Sequence, residues 1–383
     1  MTQLQLQHRR ERGLQQGVTL IELMVAMVIG LIAVLAITQV TALSEGQKRT
    51  TTNGSDAQVN GAIALHMLQR DLQSSGYGLT TFAGAMGCTL KLRYGDATDY
   101  SWTVAPAIIT AGTSAANGNS DSLQILYSTR NSYSTPTRVS AAHTQTGTLF
   151  TVDSHIGVLQ GDVMMAVPQT WTTANWCSAF QASAAGSANV VQHAAATGLS
   201  WNPANLTLLF PAGGYAADSR VVNLGALTSH TYSVASTGLV LTTRSVTSTS
   251  TSSDLDGSNA SVASSGIVLM KAFYGVDTNG DGKVDSYTQT TPTTAAGWQQ
   301  VLSVRIAVVA RSDQYEKSIV TTAAPEWQVG SAAAVPGSAI CTFSSVTTDQ
   351  CVTLPVSYLT DWQHYRYKIF DTVVPLRNVL WST

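Results

Sequence analysis

Gly17-Val18-Thr19-Leu20-Ile21-Glu22-Leu23-Met24 opens an apolar run that carries no further charge as far as Thr38. The 21 residues from Val18 to Thr38 are enough to cross a bilayer as one helix, which needs about 20 apolar residues. Glu22 is out of place in such a segment. An ionised side chain inside a membrane helix costs roughly 2.5–3.5 kcal/mol on insertion scales, so it ordinarily has a partner. Arg9, Arg10 and Arg12 stand just before the run, whereas Lys48 and Arg49 follow at a distance. The positive-inside rule therefore keeps the N-terminus cytoplasmic and places the remainder outside. Gly30 lies mid-span and weakens the helix by about 1 kcal/mol relative to Ala. Helix packing is its plain role, since Gly is common in membrane helices, and a site of local unwinding is the alternative.

A glycine, then an apolar stretch with a carboxylate at its fifth position, resembles the junction of type IV prepilins. The resemblance implies a prepilin peptidase that cuts between Gly17 and Val18 and methylates the new amine, leaving residues 1–17 as a leader. It also implies that in a filament this amine meets Glu22 of a neighbouring subunit. A buried charge is tolerable only when paired. Phenylalanine is usual where Val18 stands, but that position is tolerant. The competing reading is an ordinary secretory signal with the three arginines as its charged region. Against it, no A-x-A site follows, and an ordinary apolar region is shorter and carries no Glu.

The composition suits an exported chain. Only 11% of residues are charged and the formal net charge is −2. The leader holds three Arg and one Glu, a net +2, so its removal leaves the mature chain at −4. No cluster of Lys and Arg points to nucleic acid. Four cysteines, Cys88, Cys177, Cys341 and Cys351, suit an oxidising compartment and allow three disulfide connectivities. Pairing Cys341 with Cys351 closes a short loop and leaves Cys88 with Cys177. A zinc site competes, but there is no C-x-x-C and no His at ligand spacing.

Helical periodicity continues beyond the span. From Ala57 to Ser75 it places Ile63, Met67, Leu68 and Leu72 on one face, and Gly76-Tyr77-Gly78 supplies the stop. One helix from Val18 to about Ser75 is predicted, with a Gly- and Thr-rich stretch at 50–54 that would loosen it. From Leu79 onward short β-type runs alternate with Ser, Thr, Gly and Asn: Leu123–Tyr127, Asp162–Val167, Gly238–Thr243, Ile267–Tyr274 and Val301–Ala310. The Ser/Thr-rich tract from Thr228 to Ser265 reads as extended loops around an edge strand. Within it, Asn259-Ala260-Ser261 fits a short glycosylation pattern that is weak evidence. The expected fold is α+β: residues 18–78 as an N-terminal helix, membrane-spanning over 18–38, packed on a large β-rich head at 79–383.

Asp277-Thr278-Asn279-Gly280-Asp281-Gly282-Lys283-Val284-Asp285 is the most specific chemical motif. Oxygen side chains at positions one, three, five and nine, a glycine at six and the Lys283 carbonyl at seven give the spacing of a calcium loop. Position twelve is Thr288 rather than the bidentate Glu, so a Ca²⁺ site here would be weak. The alternative is a hairpin turn, because Asn-Gly and Asp-Gly are preferred turn pairs.

The final stretch Asp361–Asn378 carries a finer likeness, together with Leu68-Gln69-Arg70-Asp71-Leu72 and Tyr274-Gly275-Val276-Asp277. These segments resemble PilW-type minor pilins, which are similar to the J-type pseudopilins of type II secretion. The likeness is close in the N-terminal helix, good in the last third and slight over Thr80–Ser265. It implies a low-abundance subunit, anchored in the inner membrane with a periplasmic head before assembly and in the pilus at the cell surface afterwards. The implied partners are other minor pilins, the major pilin and a large tip adhesin, in a complex that primes pilus assembly. Enzyme activity has little support. The seven His are scattered, G-x-S-x-G and phosphate-binding glycine loops are absent, and His364 beside Asp361 is the one suggestive pair. An adhesive head would need an exposed aromatic groove in the middle third.

Overall fold

The computed structural model describes residues 17–129, 135–331, 333–343 and 348–380. The chain divides into two compact units, Met1–Thr52 and Asn53–Thr383. Helix α1 runs Leu20–Ser74. It therefore begins two residues later than the sequence predicts and is unbroken through 50–54.

In the N-terminal unit the helix carries a 23-residue apolar segment, Leu20–Ala42, long enough to cross a bilayer. Its large side chains are exposed throughout. A soluble fold leaves no such surface bare, which is what a lipid-facing span requires.

The second unit contains the head. In chain order its first strands are β1 (Thr89–Tyr94), β2 (Thr98–Thr103), β3 (Ala107–Thr110) and β4 (Ser122–Ser128). Then come β5 (Thr137–Arg138), β6 (Leu149–Thr151), β7 (Val163–Val167), β8 (Cys177–Gln181), β9 (Val190–Gln192) and β10 (Arg220–Gly225). Next are β11 (Leu227–Ala235), β12 (Gly238–Val246), β13 (Ala260–Ser264), β14 (Ile267–Val276) and β15 (Ser286–Thr288). The chain closes with β16 (Val301–Arg311), β17 (Glu326–Gly330), β18 (Ser338–Ile340), β19 (Gln350–Thr353) and β20 (Tyr367–Pro375).

The sheet nearest the helix is antiparallel, in the order β15-β14-β16-β20. Its inner face sets Met270, Ala272 and Tyr274 of β14 and Val304, Ile306 and Val308 of β16 against Ala57, Ala64, Leu68 and Leu72 of α1. The helix seam thus follows the smaller residues. Ile63, expected inside, is 47% exposed, because Gly61 brings the helix backbone down onto the Phe370 ring. A Cβ on Gly61 would lie 2.1 Å from that ring, so any side chain there displaces it. The opposite face of the same strands packs Leu269, Phe273, Ala307 and Val309 against Trp327 and Val352 of the small sheet β17-β19-β18.

Two further sheets extend the head. β13-β12-β11-β4-β3 continues the core beside α1. This corrects the reading of Thr228–Ser265 as loops around an edge strand. β11 is interior, paired with β12 over nine residues and with β4 over six. Its Ser and Thr misled because they are buried and paired, as with Ser229, whose hydroxyl accepts from Gln124 (2.9 Å). The six-stranded sheet β2-β1-β8-β7-β10-β5 is covered on both sides. Along β7, Val163, Met165 and Val167 enter one core while Met164 and Ala166 enter the other, as a period-two strand requires.

Polar clasps fix the helix end. Asp71 Oδ2 accepts from Nδ1 of His230 (2.6 Å) and from the Tyr232 hydroxyl (2.6 Å), both on β11. The Nε2 of His230 in turn lies 3.2 Å from the Tyr127 hydroxyl of β4. At the far end of the chain, the Asn378 side chain donates to the Ser75 carbonyl (2.8 Å), and Thr80 donates to the Asn378 carbonyl (2.8 Å). Between sheets, the buried Asp121 carboxylate accepts from Lys271 (2.8 Å), Gln289 (2.6 Å) and the amides of Gly112 and Ala272 (each 2.9 Å). A charge so buried is tolerable because its lone pairs are occupied.

Burial alone would raise the pKa of Asp71, but hydrogen bonds from His230 and Tyr232 outweigh it and hold the carboxyl below its ordinary 3.8. Its contribution is therefore complete above that value and is lost as pH falls through the lower folded value. Asp71→Asn should lose about 2 kcal/mol at pH 7, the scale of hydrogen bonds to a charged group. Its unfolding free energy should also fall less steeply than wild type below pH 4. Denaturant melts between pH 7 and 3 check this, and parallel acid limbs would contradict it.

Candidate functional site

The processing segment is built from very few contacts. Gly17, Val18 and Thr19 precede the helix and are exposed, and a Cβ on Gly17 would meet nothing within 4 Å. No packing among the described residues therefore demands glycine at 17. The leader residues 1–16, with Arg9, Arg10 and Arg12, lie outside the described residues.

Glu22 is exposed and sits in the first turn of α1. Its Oε2 accepts from the amide and hydroxyl of Thr19 (each 3.4 Å), and the Glu22 amide faces the Thr19 hydroxyl at 3.4 Å. This is the reciprocal arrangement of a capping box, with long contacts. The T-x-x-E spacing was present in the sequence and was not read as a helix start. A carboxylate in the first turn also complements the positive end of the helix dipole. Among the described residues, then, Glu22 is a weakly engaged cap.

Residues 277–285 connect the antiparallel strands β14 and β15. The loop is a hairpin connection, and its internal bonding also follows the calcium-loop spacing. Asp277, only 6% exposed, accepts from the amides of Asn279 (3.1 Å), Gly280 (2.6 Å) and Gly282 (2.7 Å). Asn279 accepts from the Asp281 amide and Asp281 from the Lys283 amide (each 2.9 Å). Asp285 accepts from the amide and hydroxyl of Thr278 (each 2.8 Å). Gly280 and Gly282 both have φ of 79°, a left-handed backbone that L side chains rarely adopt.

Burial works against ionisation of Asp277, but the Gly282 and Gly280 amides prevail and lower its pKa. The Thr278 amide and hydroxyl do the same for Asp285. The donor set is hard oxygen, as Ca²⁺ prefers. Its carboxylates are turned onto the loop's own amides, and Thr288 at position twelve lies in β15. Among the described residues no group of three or more His, Cys, Asp or Glu side chains is gathered closely enough to hold a metal.

The cysteines pair as Cys88–Cys177 and Cys341–Cys351. The first joins the approach to β1 to its parallel neighbour β8, and the second closes the β18–β19 hairpin. Each contributes about 2–4 kcal/mol, chiefly by restricting the unfolded chain.

The suggestive His364–Asp361 pair does not meet through its side chains. The Nδ1 of His364 donates to the Glu316 carbonyl (2.8 Å) and its ring stacks on Tyr315. Tyr367 packs into the core behind β16, and Tyr365 lies under the Arg311 guanidinium at 4.5 Å. Tyr94, Tyr100 and Trp102, and Trp171 of the middle third, lie half-buried against the core of the six-stranded sheet. A groove of about 690 Å³ runs beside Arg138, Asp153 and Asn223, where Arg138 is paired with Asp153 (2.8 Å) and Asp218 (2.6 Å).

Residues 232–378 match the family described as Type IV Pilus-assembly protein W. Residues 12–38 match the prokaryotic N-terminal methylation motif. No curated protein and no solved structure gives a match. The W-family match covers β12 to β20 and with them the sheet that packs on α1, while the N-terminal match covers Glu22 and most of the apolar span. The two matches, one on the helix and one on the sheet that packs on it, support a type IV pilin-like protein.

Proposed function

We propose that this chain is a non-enzymatic minor pilin that takes part in priming type IV pilus assembly after prepilin peptidase cuts between Gly17 and Val18. The observation that carries the reading is the joint occurrence of the methylation motif and the W-family match on one chain. Cleavage would place a new ammonium group near the positive end of α1, where a cation is disfavoured by about 0.3–1 kcal/mol. Methylation keeps that charge. Glu22 of a neighbouring subunit would offset it, and the ammonium would in turn relieve the expense of a carboxylate in lipid. The head would be periplasmic before assembly and would join other minor pilins and the major pilin, with a tip adhesin beyond them.

Mass spectrometry of sheared surface filaments tests this. The expected peptide begins at methylated Val18. Mature protein confined to the membrane fraction would favour the J-type pseudopilin of a secretion system, which uses the same Gly17 and Glu22 devices. Gly17→Leu should leave an uncut precursor in the membrane, and normal maturation of it would sink the leader assignment. Glu22→Ala should be cleaved normally yet be depleted from filaments at least tenfold, as read by quantitative immunoblot. Wild-type incorporation would argue against the charge pairing.

The loop at 277–285 is proposed as a weak calcium loop that stiffens the β14–β15 connection, with Asp277, Asn279, Asp281, Asp285 and the Lys283 carbonyl as ligands. Without a bidentate acid at position twelve, affinity in the extracellular range of about 10⁻⁴–10⁻³ M is expected. Raising Ca²⁺ to ten times that Kd should lift stability by about 1.4 kcal/mol by mass action. Asp281→Asn should abolish the gain. Identical melts in Ca²⁺ and in EGTA would leave the loop a plain turn.

A further inference from the structure

Two histidines lie at the centre of the outer core of the six-stranded sheet. His143 follows β5, and His193 directly follows β9. Both rings are buried, and their Nε2 atoms are 2.9 Å apart. Phe150 of β6 stacks on His143 with centroids 3.9 Å apart, and Phe180 and Phe210 stand about the His193 ring at 4.9 Å each. Backbone bonds lock the same layer: His143 and Tyr215 exchange amide–carbonyl bonds of 2.8 Å each, and His193 donates to the Thr148 carbonyl (2.9 Å).

The shared hydrogen bond fixes the protons. One Nε2 must donate and the other accept, so at most one of the two rings can carry a proton on Nε2. The accepting ring then holds its proton on Nδ1, and neither buried Nδ1 has a hydrogen-bond partner. The pair is therefore satisfied only in part even when both rings are neutral. A charged ring can keep the shared bond but buries its charge among phenylalanines, and charging both rings would remove the bond and set two donors face to face.

No counter-charge is at hand. The rings are faced by Phe150, Phe180, Phe210 and Tyr215, and the Tyr215 hydroxyl turns away to Ser178 (2.8 Å) and the Trp176 carbonyl (3.0 Å). Among the described residues no carboxylate acts on either ring. The nearest ion pairs of this layer, Arg138 with Asp153 and Asp218, are on the surface.

We infer that the two-stranded ribbon β6–β9, with the segment around His143, is an acid-released lid over the aromatic face of the six-stranded sheet. The ribbon is suited to this. Its two strands have three residues each and pair with one another in a separate sheet. The ribbon is tied to the rest of the head by the backbone bonds of Ser140 to the Thr151 carbonyl (2.9 Å), Asp153 to the Arg138 carbonyl (2.9 Å) and Ser183 to the Gln192 carbonyl (2.8 Å), and otherwise by the core it covers. The α1-bearing sheet has its own core and contains no part of this cluster.

Desolvation lowers His143 to about 4, and desolvation with the neighbouring ring lowers His193 to about 3, from an ordinary 6.5. Both shifts are downward, so the closed lid binds fewer protons than the open one. Its stability is complete above about pH 6.5 and is lost as pH falls towards the folded values. At pH 5 the closed-to-open ratio should drop roughly twenty-five-fold for each ring that takes up a proton on opening.

Hydrogen–deuterium exchange of the full chain in detergent, corrected for intrinsic rates, tests the lid at pH 7.5 and pH 5.0. Peptides covering 143–152 and 190–193 should lose protection at pH 5.0, while those covering 267–276 and 301–311 keep theirs. Equal protection at both pH values, or loss spread evenly over the head, would overturn the proposal. H143Q/H193Q should remove the pH dependence, and a variant still opening at pH 5.0 would also overturn it. Deuterium exchange at the imidazole Cε1 of the wild-type chain needs no variant. Slow exchange with pKa values well below 6.5 at both histidines is expected, and ordinary values would refute the mechanism.

Discussion

β14 and β16 have no solvent face, and the head is arranged around that fact. One side of the pair packs on α1 and the other on the small sheet β17-β19-β18. A strand buried on both faces must be apolar almost continuously, as Ile267–Tyr274 and Val301–Ala310 are. It also needs neighbours above and below at once. The helix cannot leave one face without exposing Met270, Tyr274, Ile306 and Val308, and Trp327 cannot leave the other without uncovering Phe273 and Val309. The Asp71 and Asn378 clasps then set where along the sheet the helix stops.

What could be read from the chain follows from the same physics. Continuous apolar strands and an apolar membrane-length helix are strong local signals, so α1, β4, β7, β14 and β16 lay close to where their residues predicted. On the helix seam Leu68 and Leu72 are buried as the periodicity predicts and Met67 is half-buried, while Ile63 departs from it. At Gly61 the absence of a side chain decides the contact, and Ile63 turns outward as a result. β11 was missed because hydroxyl side chains look solvent-facing in a sequence. They enter a core freely when a partner waits on the next strand, as Gln124 does for Ser229.

The functional segments were legible to different depths. Gly17, Val18 and Glu22 form a pattern in adjacent residues, and the N-terminal match falls on it. The Thr19–Glu22 cap is equally local, a T-x-x-E spacing hidden by the unusual charge it contains. The cysteine pairing came out as the short-loop reading had it, although spacing alone allowed two other connectivities. His143 and His193 could not have been paired from the sequence. They are 50 residues apart, in loops without periodicity, and only the closure of β6 on β9 brings them together.

The C-terminal clasp bears on the order of events at the membrane. β20 completes the helix-bearing sheet, and Asn378 bonds Ser75 across 303 positions of sequence. Contacts of such separation form late, because the long intervening loop must first be closed. α1 is synthesised well before β20. The cover over the α1 seam is therefore complete only once β20 has joined β14 and β16. During that interval the apolar strands are open to aggregation and to proteases. A protein with this topology depends on quick arrival of β20, and loss of that strand should be felt at the helix.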